Sequence, residues 1–278
     1  MNKNIKYIYY FFFIAILTSC STAEETPIIP TGVTKSYDLL NTNSSDLNGE
    51  VTFKENTNGS TTITVILNNT VDGINNAVKL RRNTANIGGG IVVHLNDIDA
   101  TTGKSETTIA KLDNGEVISY DELSEFLGYL SIEGKDFNTG EFYAYADLGP
   151  NVLTGAKTVY NLFSPDLSIN GLAVFEERKK GTAALTVNIF EINDNTELPT
   201  SLHIIQDSNP QEIIHPLNTI KSRQNGFSFN ELTNINETTI SYKNILKLNG
   251  YIEILDENNS EKIISSGGIG SNINAILN

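Results

Sequence analysis

The sequence predicts a mainly β protein made of two tandem antiparallel β-sandwich domains, each with one short helix. Three observations lead there. The chain carries two copies of one pattern at an offset of about 122 residues, first seen where Gly49 recurs as Gly171. Short runs rich in Thr, Val and Ile alternate apolar with polar residues at period two, the signature of half-buried strands. A single capping signature interrupts those runs once per copy.

The repeat comes first because it sets the architecture. Gly49-Glu50-Val51-Thr52-Phe53-Lys54-Glu55 aligns with Gly171-Leu172-Ala173-Val174-Phe175-Glu176-Glu177, and Ile63-Thr64-Val65 with Leu185-Thr186-Val187. Ile118-Ser119-Tyr120 matches Ile240-Ser241-Tyr242, and Gly128-Tyr129 matches Gly250-Tyr251. Tyr37-Asp38-Leu39 meets Tyr160-Asn161-Leu162 one residue out of step, as does Asp147 to Asn151 against Gly268 to Asn272. The alternative is one domain of roughly 240 residues, but a period near 120 is itself domain-sized and too long for a solenoid repeat. The expected boundaries are 34–154 and 155–278, cut near Thr154.

Within a copy, Asn56-Thr57-Asn58-Gly59 is a hairpin turn signal between two alternating runs. Ser119, three residues before Glu122, opens a short helix through a capping box, with Leu123, Phe126 and Leu127 on one face and Gly128 as its stop. Copy two keeps Ser241 as the cap, replaces Glu122 by Asn244, and stops at Asn249-Gly250. Gly88-Gly89-Gly90 has no helix behind it and reads as a turn before a strand from Ile91 to Leu95.

The N-terminus places Lys3 and Lys6 before an apolar run from Tyr7 to Leu17, followed by Thr18-Ser19-Cys20. Basic, apolar, then small is the layout of a secretory signal peptide. About eleven apolar residues fall short of the roughly twenty a helix needs to cross a bilayer, so residues 1–19 are expected to be cleaved. Leu17-Thr18-Ser19-Cys20 resembles the bacterial lipobox, which implies a diacylglycerol thioether on Cys20, the first mature residue. Ser21 in place of an Asp directs the expectation to the outer membrane, facing the periplasm or displayed at the cell surface. Glu24 and Glu25 resemble the acidic surface-export tag of Bacteroidetes lipoproteins. Residues 20–33, with Pro27 and Pro30, read as a lipidated tether.

Cys20 is the only cysteine, so the exported part draws no stability from intrachain disulfides and relies on its cores. The formal charge is −14, and losing the two lysines of the leader leaves −16. Such a surface repels phosphate backbones, which disfavours nucleic acid as a partner. The expected partners are the membrane, through the lipid anchor, and an extracellular or envelope macromolecule.

Gly49 to Glu55, Thr102-Gly103-Lys104-Ser105, Leu112-Asp113-Asn114-Gly115, Ile118 to Leu123 and the following Gly128-Tyr129 together resemble the CHRD domain, named from chordin. The resemblance spans about residues 35–154 and, more loosely, 157–274. It implies a sandwich of immunoglobulin-like or superoxide-dismutase-like form. It also implies histidines at alternate strand positions, in a His-Pro-x-His-x-His strand and after the Gly-Tyr, where imidazoles on one face share a metal.

This chain departs from that pattern. The first ligand strand reads Asn76, Lys79 and Arg81 in copy one, and Leu198, Ser201 and His203 in copy two. The later position is Ile132 or Glu133 in one copy and Ile254 or Leu255 in the other. Lys79 and Arg81 oppose a cation, and His203 is the single candidate metal-ligating residue. His94 and His215 fall at neighbouring, non-equivalent positions in the next strand. Asp97 and Asp99 offer oxygens toward calcium, but copy two has Thr219 and Lys221 there, so the pair reads as a solvated loop. No nucleophile elbow, phosphate loop or CxxC pair is found, and no metal or other cofactor is expected. The resulting reading is a non-enzymatic envelope or surface lipoprotein with a binding or structural role. The alternative is a metal-binding or redox β-sandwich protein related to the histidine-bearing members of the family. A sugar- or lipid-binding factor is a third reading, for which Tyr143 and Tyr145 alternate suitably, as do any residues of one sheet face.

Overall fold

In the computed structural model, residues 27–41, 48–69, 76–134, 143–206, 209–222 and 226–272 are described. The leader 1–19, Cys20, Ser21, Glu24 and Glu25 lie outside the described residues. The first copy contains β1 (Pro30–Asn41), β2 (Asn48–Asn56), β3 (Thr61–Asn68), β4 (Asn76–Arg82), β5 (Ile91–His94), β6 (Lys104–Ile109), α1 (Tyr120–Ser124), β7 (Gly128–Gly134) and β8 (Ala144–Asp147). A 3-10 turn at Gly149–Asn151 leads on to the second copy. That copy contains β9 (Leu153–Phe163), β10 (Ile169–Arg178), β11 (Ala183–Ile189), β12 (Glu197–Gln206), β13 (Asn209–Lys221) and β14 (Phe227–Leu232). It continues with a small hairpin of β15 (Asn234–Ile235) and β16 (Thr238–Thr239), then α2 (Tyr242–Ile245), β17 (Asn249–Leu255) and β18 (Ile263–Gly270).

The two copies share one strand order. The first runs β5-β4-β7-β8-β1-β2-β3-β6, and the second, read from β13, runs β13-β12-β17-β18-β9-β10-β11-β14. In each, a later strand (β8 or β18) returns beside the first of three consecutive paired ones (β1-β2-β3 or β9-β10-β11), a Greek-key path. The mainly β, antiparallel class is as expected, with one short α-helix per copy among the described residues.

The sheets are arranged differently from a plain face-to-face pair. β1 pairs with β2 from Thr34 to Leu39 and then with β8 at Leu40 and Asn41, so one long strand serves both halves and the eight strands form a continuous sheet. The second copy closes fully into a barrel, because the longer β13 reaches Lys221 and pairs there with Phe227 of β14. β5, only four residues long, makes no such pairing.

Side chains close what the backbone leaves open. Asn96 donates its N–H to Thr107 Oγ1 (2.8 Å) and its Nδ2 to the Glu106 carbonyl (2.7 Å). Asn218 does the same in the second copy, toward Asn230 Oδ1 (2.7 Å) and the Phe229 carbonyl (2.6 Å). On the other edge of the first seam, Asp113 accepts the His94 N–H (3.1 Å) and donates its own N–H to Val92 (3.0 Å). Edge groups that would otherwise await another strand are thereby occupied.

Period-two alternation places Val51, Phe53, Ile63, Val65, Leu80, Leu130 and Ile132 in the first core, and Phe175, Leu185, Val187, Leu202, Ile252 and Ile254 in the second. Equivalent edge-on aromatic pairs sit in both, Tyr37–Phe53 at 5.6 Å and Tyr160–Phe175 at 5.7 Å. Each adds about 0.5–1.5 kcal/mol beyond its buried area.

The repeated glycines are explained by close strand approach. A Cβ on Gly49 would lie 2.0 Å from the Ile66 carbonyl oxygen, and one on Gly171 2.5 Å from that of Asn188. Gly128 and Gly250 meet the carbonyl oxygens of Arg81 and His203 at 2.3 and 2.5 Å.

Three local expectations shift. Ser119 and Glu122 form the capping box, but the helix ends at Ser124, Leu127 is exposed, and Gly128 opens β7 instead of stopping the helix. Gly250 likewise lies in β17. The tether expected through residue 33 overlaps β1, which starts at Pro30 because the Ile29 carbonyl accepts the Thr57 N–H (2.8 Å) and Thr31 bonds Glu55 (2.7 Å).

Candidate functional site

His203 stands on the outward face of β12, where Leu198, Leu202 and Ile204 point to the core. It is nonetheless 6% exposed, because Tyr251 of β17 stacks on its ring at 4.5 Å and 15°. Its Nε2 meets Ser201 Oγ at 2.8 Å and lies 3.5 Å from Glu253, while Glu212 of β13 lies 3.2 Å from Nδ1. The carboxylates thus approach opposite ring nitrogens and do not converge on one point. Burial and the hydrogen bond to Glu212 push the Tyr251 phenol well above its ordinary value, so it stays a donor.

The other histidines lie elsewhere. His94 Nδ1 pairs with Asp113 at 2.6 Å on the surface. His215 pairs with Leu202 across the β12–β13 ladder, while His203 pairs with Ile214, which puts the two imidazoles on opposite faces of the sheet. Burial lowers the His215 pKa. Among the described residues no three His, Cys, Asp or Glu are grouped to hold a metal ion. Asp99 spends an oxygen on the Thr101 and Thr102 N–H groups of its own turn (3.1 and 2.8 Å).

In the first copy the same outward face is a closed ionic network. Glu133 accepts from Lys79, from Arg81 (2.7 and 3.0 Å) and from Ser131 (2.8 Å). Burial alone would raise the Glu133 carboxyl, but these hydrogen bonds outweigh it and hold it below the usual carboxylate range. Lys79 and Arg81, which in sequence read as cations opposing a metal, are neutralised here.

A further cluster lies where the copies meet. Arg178, at the end of β10, is 1% exposed. Its Nε meets both oxygens of Glu231 at 2.8 Å, its Nη2 bonds the same carboxylate, and its Nη1 bonds Asp147 of β8 (2.8 Å) and the Asn151 carbonyl. Backbone bonds from Lys179 to Val152 (2.8 Å) and Lys180 to Pro150 (2.9 Å) extend the contact. Burial would lower the Arg178 pKa, but Glu231 and Asp147 hold it above its ordinary value. Burial raises that of Asp147 despite Arg178, since the guanidinium gives its bidentate face to Glu231. The counterpart of Arg178 in copy one is Asn56, whose Nδ2 donates locally to Ser60 (3.0 Å) and Thr62 (2.9 Å) while its buried Oδ1 accepts no hydrogen bond among the described residues. In sequence, Arg178 sits in a Glu-Glu-Arg-Lys-Lys run that looks like a solvated charge cluster, and nothing there marks it as buried. The expected cut near Thr154 falls just past this contact, inside β9.

Two clefts open at the junction. One, about 340 Å³, runs beside β1 and β9 past Lys35, Asp38, Leu40, Val152, Leu153 and Lys179. The other, about 330 Å³, lies between Asn86 of the first copy and Asn218, Thr219, Lys221, Ser228 and Phe229 of the second. Neither lining includes a histidine or cysteine, so neither provides an imidazole base or a thiol nucleophile.

No family model matches the chain. No curated protein matches it. A solved structure described as "Ca2+-stabilized adhesin helps an Antarctic bacterium reach out and bind ice" aligns with 81% of this chain at 10% identity and a TM-score of 0.21, a level from which nothing follows for this protein. The chain spans 56% of that one.

Proposed function

We propose that this protein is a non-enzymatic lipoprotein of the outer membrane, anchored through Cys20, that presents two CHRD-like β domains (34–154 and 155–278) as a binding or structural module. On this reading each domain is a flattened Greek-key sandwich of the superoxide-dismutase-like kind, with its histidine face replaced by other chemistry. The observation that supports it best is the buried Arg178 contact, which ties the second copy to Asp147 and Asn151 of the first and suits a scaffold that presents a fixed surface. The Ser201–His203 hydrogen bond lies outside both junction clefts, which favours a packing role over nucleophilic catalysis.

The anchor is tested by fractionation. Cys20→Ala removes the only thiol available to a lipid, so the variant should leave the membrane fraction, and globomycin-type blockade of lipoprotein processing should trap the wild-type precursor. Unchanged membrane retention of the variant, with no labelled lipid on the wild type, rules the anchor out. Protease treatment of intact cells then reports which side of the outer membrane the protein faces.

A further inference from the structure

One pair of outward strand positions differs in kind between the copies. In β6 the outward residues are Lys104 and Glu106, an exposed ion pair at 3.0 Å. The ladder fixes their counterparts: Glu106 pairs with Thr64 as Phe229 pairs with Thr186, and Lys104 with Ile66 as Phe227 with Asn188. The second copy therefore carries two phenylalanines where the first carries a solvated ion pair. Their rings lie nearly parallel, 6.1 Å and 5° apart, and neither belongs to the core. Phe229 remains 38% exposed.

Phe229 forms one wall of the 330 Å³ junction cleft, and the rest is polar. Asn218 gives its Nδ2 to the Phe229 carbonyl, which leaves Oδ1 as an acceptor. Among the described residues, the side chains of Asn86 and Thr219 have no hydrogen-bond partner in the protein. Lys221 is balanced by Glu197 at 3.3 Å. The cleft therefore combines an aromatic face with uncharged donors and acceptors and one ion-paired lysine, and needs both copies to form.

That combination selects among ligands. A sugar ring has an apolar C–H face for an aromatic wall and hydroxyls for amides and alcohols. An anionic glycan meets a chain of net charge −14, so a neutral one is favoured. A cleft of this size stands at the lower end of the small-ligand range, with room for about one or two sugar rings. A protein anchor would call for a broader apolar patch than a single exposed ring. We propose that the junction cleft binds a neutral saccharide, with Phe229 against the ring face and Asn86, Asn218 and Thr219 bonding its hydroxyls. The proposal rests on reading the chain as a binding module.

The test uses the full mature chain, titrated by saturation-transfer NMR with the methyl glycosides of glucose, galactose, mannose and N-acetylglucosamine. At least one should bind. Phe229→Ala and Asn86→Ala should each weaken it about tenfold, while Phe229→Tyr stays within about threefold. Phe190→Ala, at a more exposed ring outside the cleft, serves as the control and should change nothing. Melting curves check that Phe229→Ala remains folded. The proposal is overturned if no glycoside binds, or if binding survives Phe229→Ala. It is also overturned if the face captures a protein partner that the glycosides do not displace. A chain that binds no glycoside yet still holds an envelope partner overturns the cleft alone and leaves the module standing.

Discussion

Arg178 shows how much one side chain does once it is withdrawn from water. With Glu231 at 1% side-chain exposure and Asp147 at 10%, the guanidinium is held chiefly by Glu231 and secondarily by Asp147. Removing one partner from a buried pair costs about 3–5 kcal/mol, chiefly because the other charge is stranded. Glu231→Gln should therefore destabilise the protein by about that much in denaturant titration. Asp147→Asn should cost about 1 kcal/mol or less, because burial already opposes the Asp147 anion and an amide still accepts the Ala85 N–H. Equal losses in the two variants would show that Asp147 holds Arg178 as strongly as Glu231 does. His215 makes the second prediction at this scale. Burial lowers its pKa below 6.5, so in the window under that value the unfolded chain binds more protons than the folded one. Stability is then lost as pH falls. Between about pH 7.5 and about pH 5.5 the melting temperature should drop less in His215→Gln than in the wild type.

At the scale of the strand, two asparagines carry the seams. Asn96 and Asn218 each satisfy a neighbouring edge with one backbone and one side-chain donor. Asn96→Ala should cost about 0.5–1.5 kcal/mol by removing the hydrogen bond to the Glu106 carbonyl. It should also expose β6 to edge pairing, seen as concentration-dependent self-association in light scattering. A variant that melts normally and stays monomeric would mean that the Asp113 edge alone secures the seam. Much of this architecture was legible in the sequence. The glycines of the Gly-x-Val-x-Phe and Gly-Tyr blocks recur because strands approach too closely there for a Cβ. Tyr37 and Phe53 recur as Tyr160 and Phe175 because they fill the same core position. The seams were not legible, since Leu95-Asn96 and Leu217-Asn218 are an unremarkable dipeptide whose partners lie about ten residues away. Barrel closure was hidden for a similar reason, because it turns on the reach of β13, and alternation reports which face is buried but not where a strand stops. At the candidate site, His203 was singled out by pattern. Glu212, Tyr251 and Glu253, which surround it, come from strands that only folding brings together.

At the scale of the molecule, two separate cores without a disulfide are joined at a small ionic contact and a few backbone hydrogen bonds. The copies have diverged most on their outward faces: a neutralised ion network against a stacked histidine, and a lysine–glutamate pair against two phenylalanines. Their interiors kept the same pattern, because a change there opens a cavity or a clash, whereas an outward change alters only what the surface meets. One consequence of the junction is mechanical. In a chain anchored at Cys20, as proposed, tension from the membrane enters at Pro30 and runs along β1, whose ladder with β2 from Thr34 to Leu39 is loaded in shear. A ligand held mainly by Phe229, Asn218 and Thr219 of the second copy would pull across the contact between the copies, so that the Arg178 cluster shares the load between anchor and cargo. Water entering the contact raises the local dielectric and weakens its charge pairs several-fold. Under load the molecule should release by parting at this junction while both cores stay folded, a fuse that resets when the guanidinium finds Asp147 and the Asn151 carbonyl again.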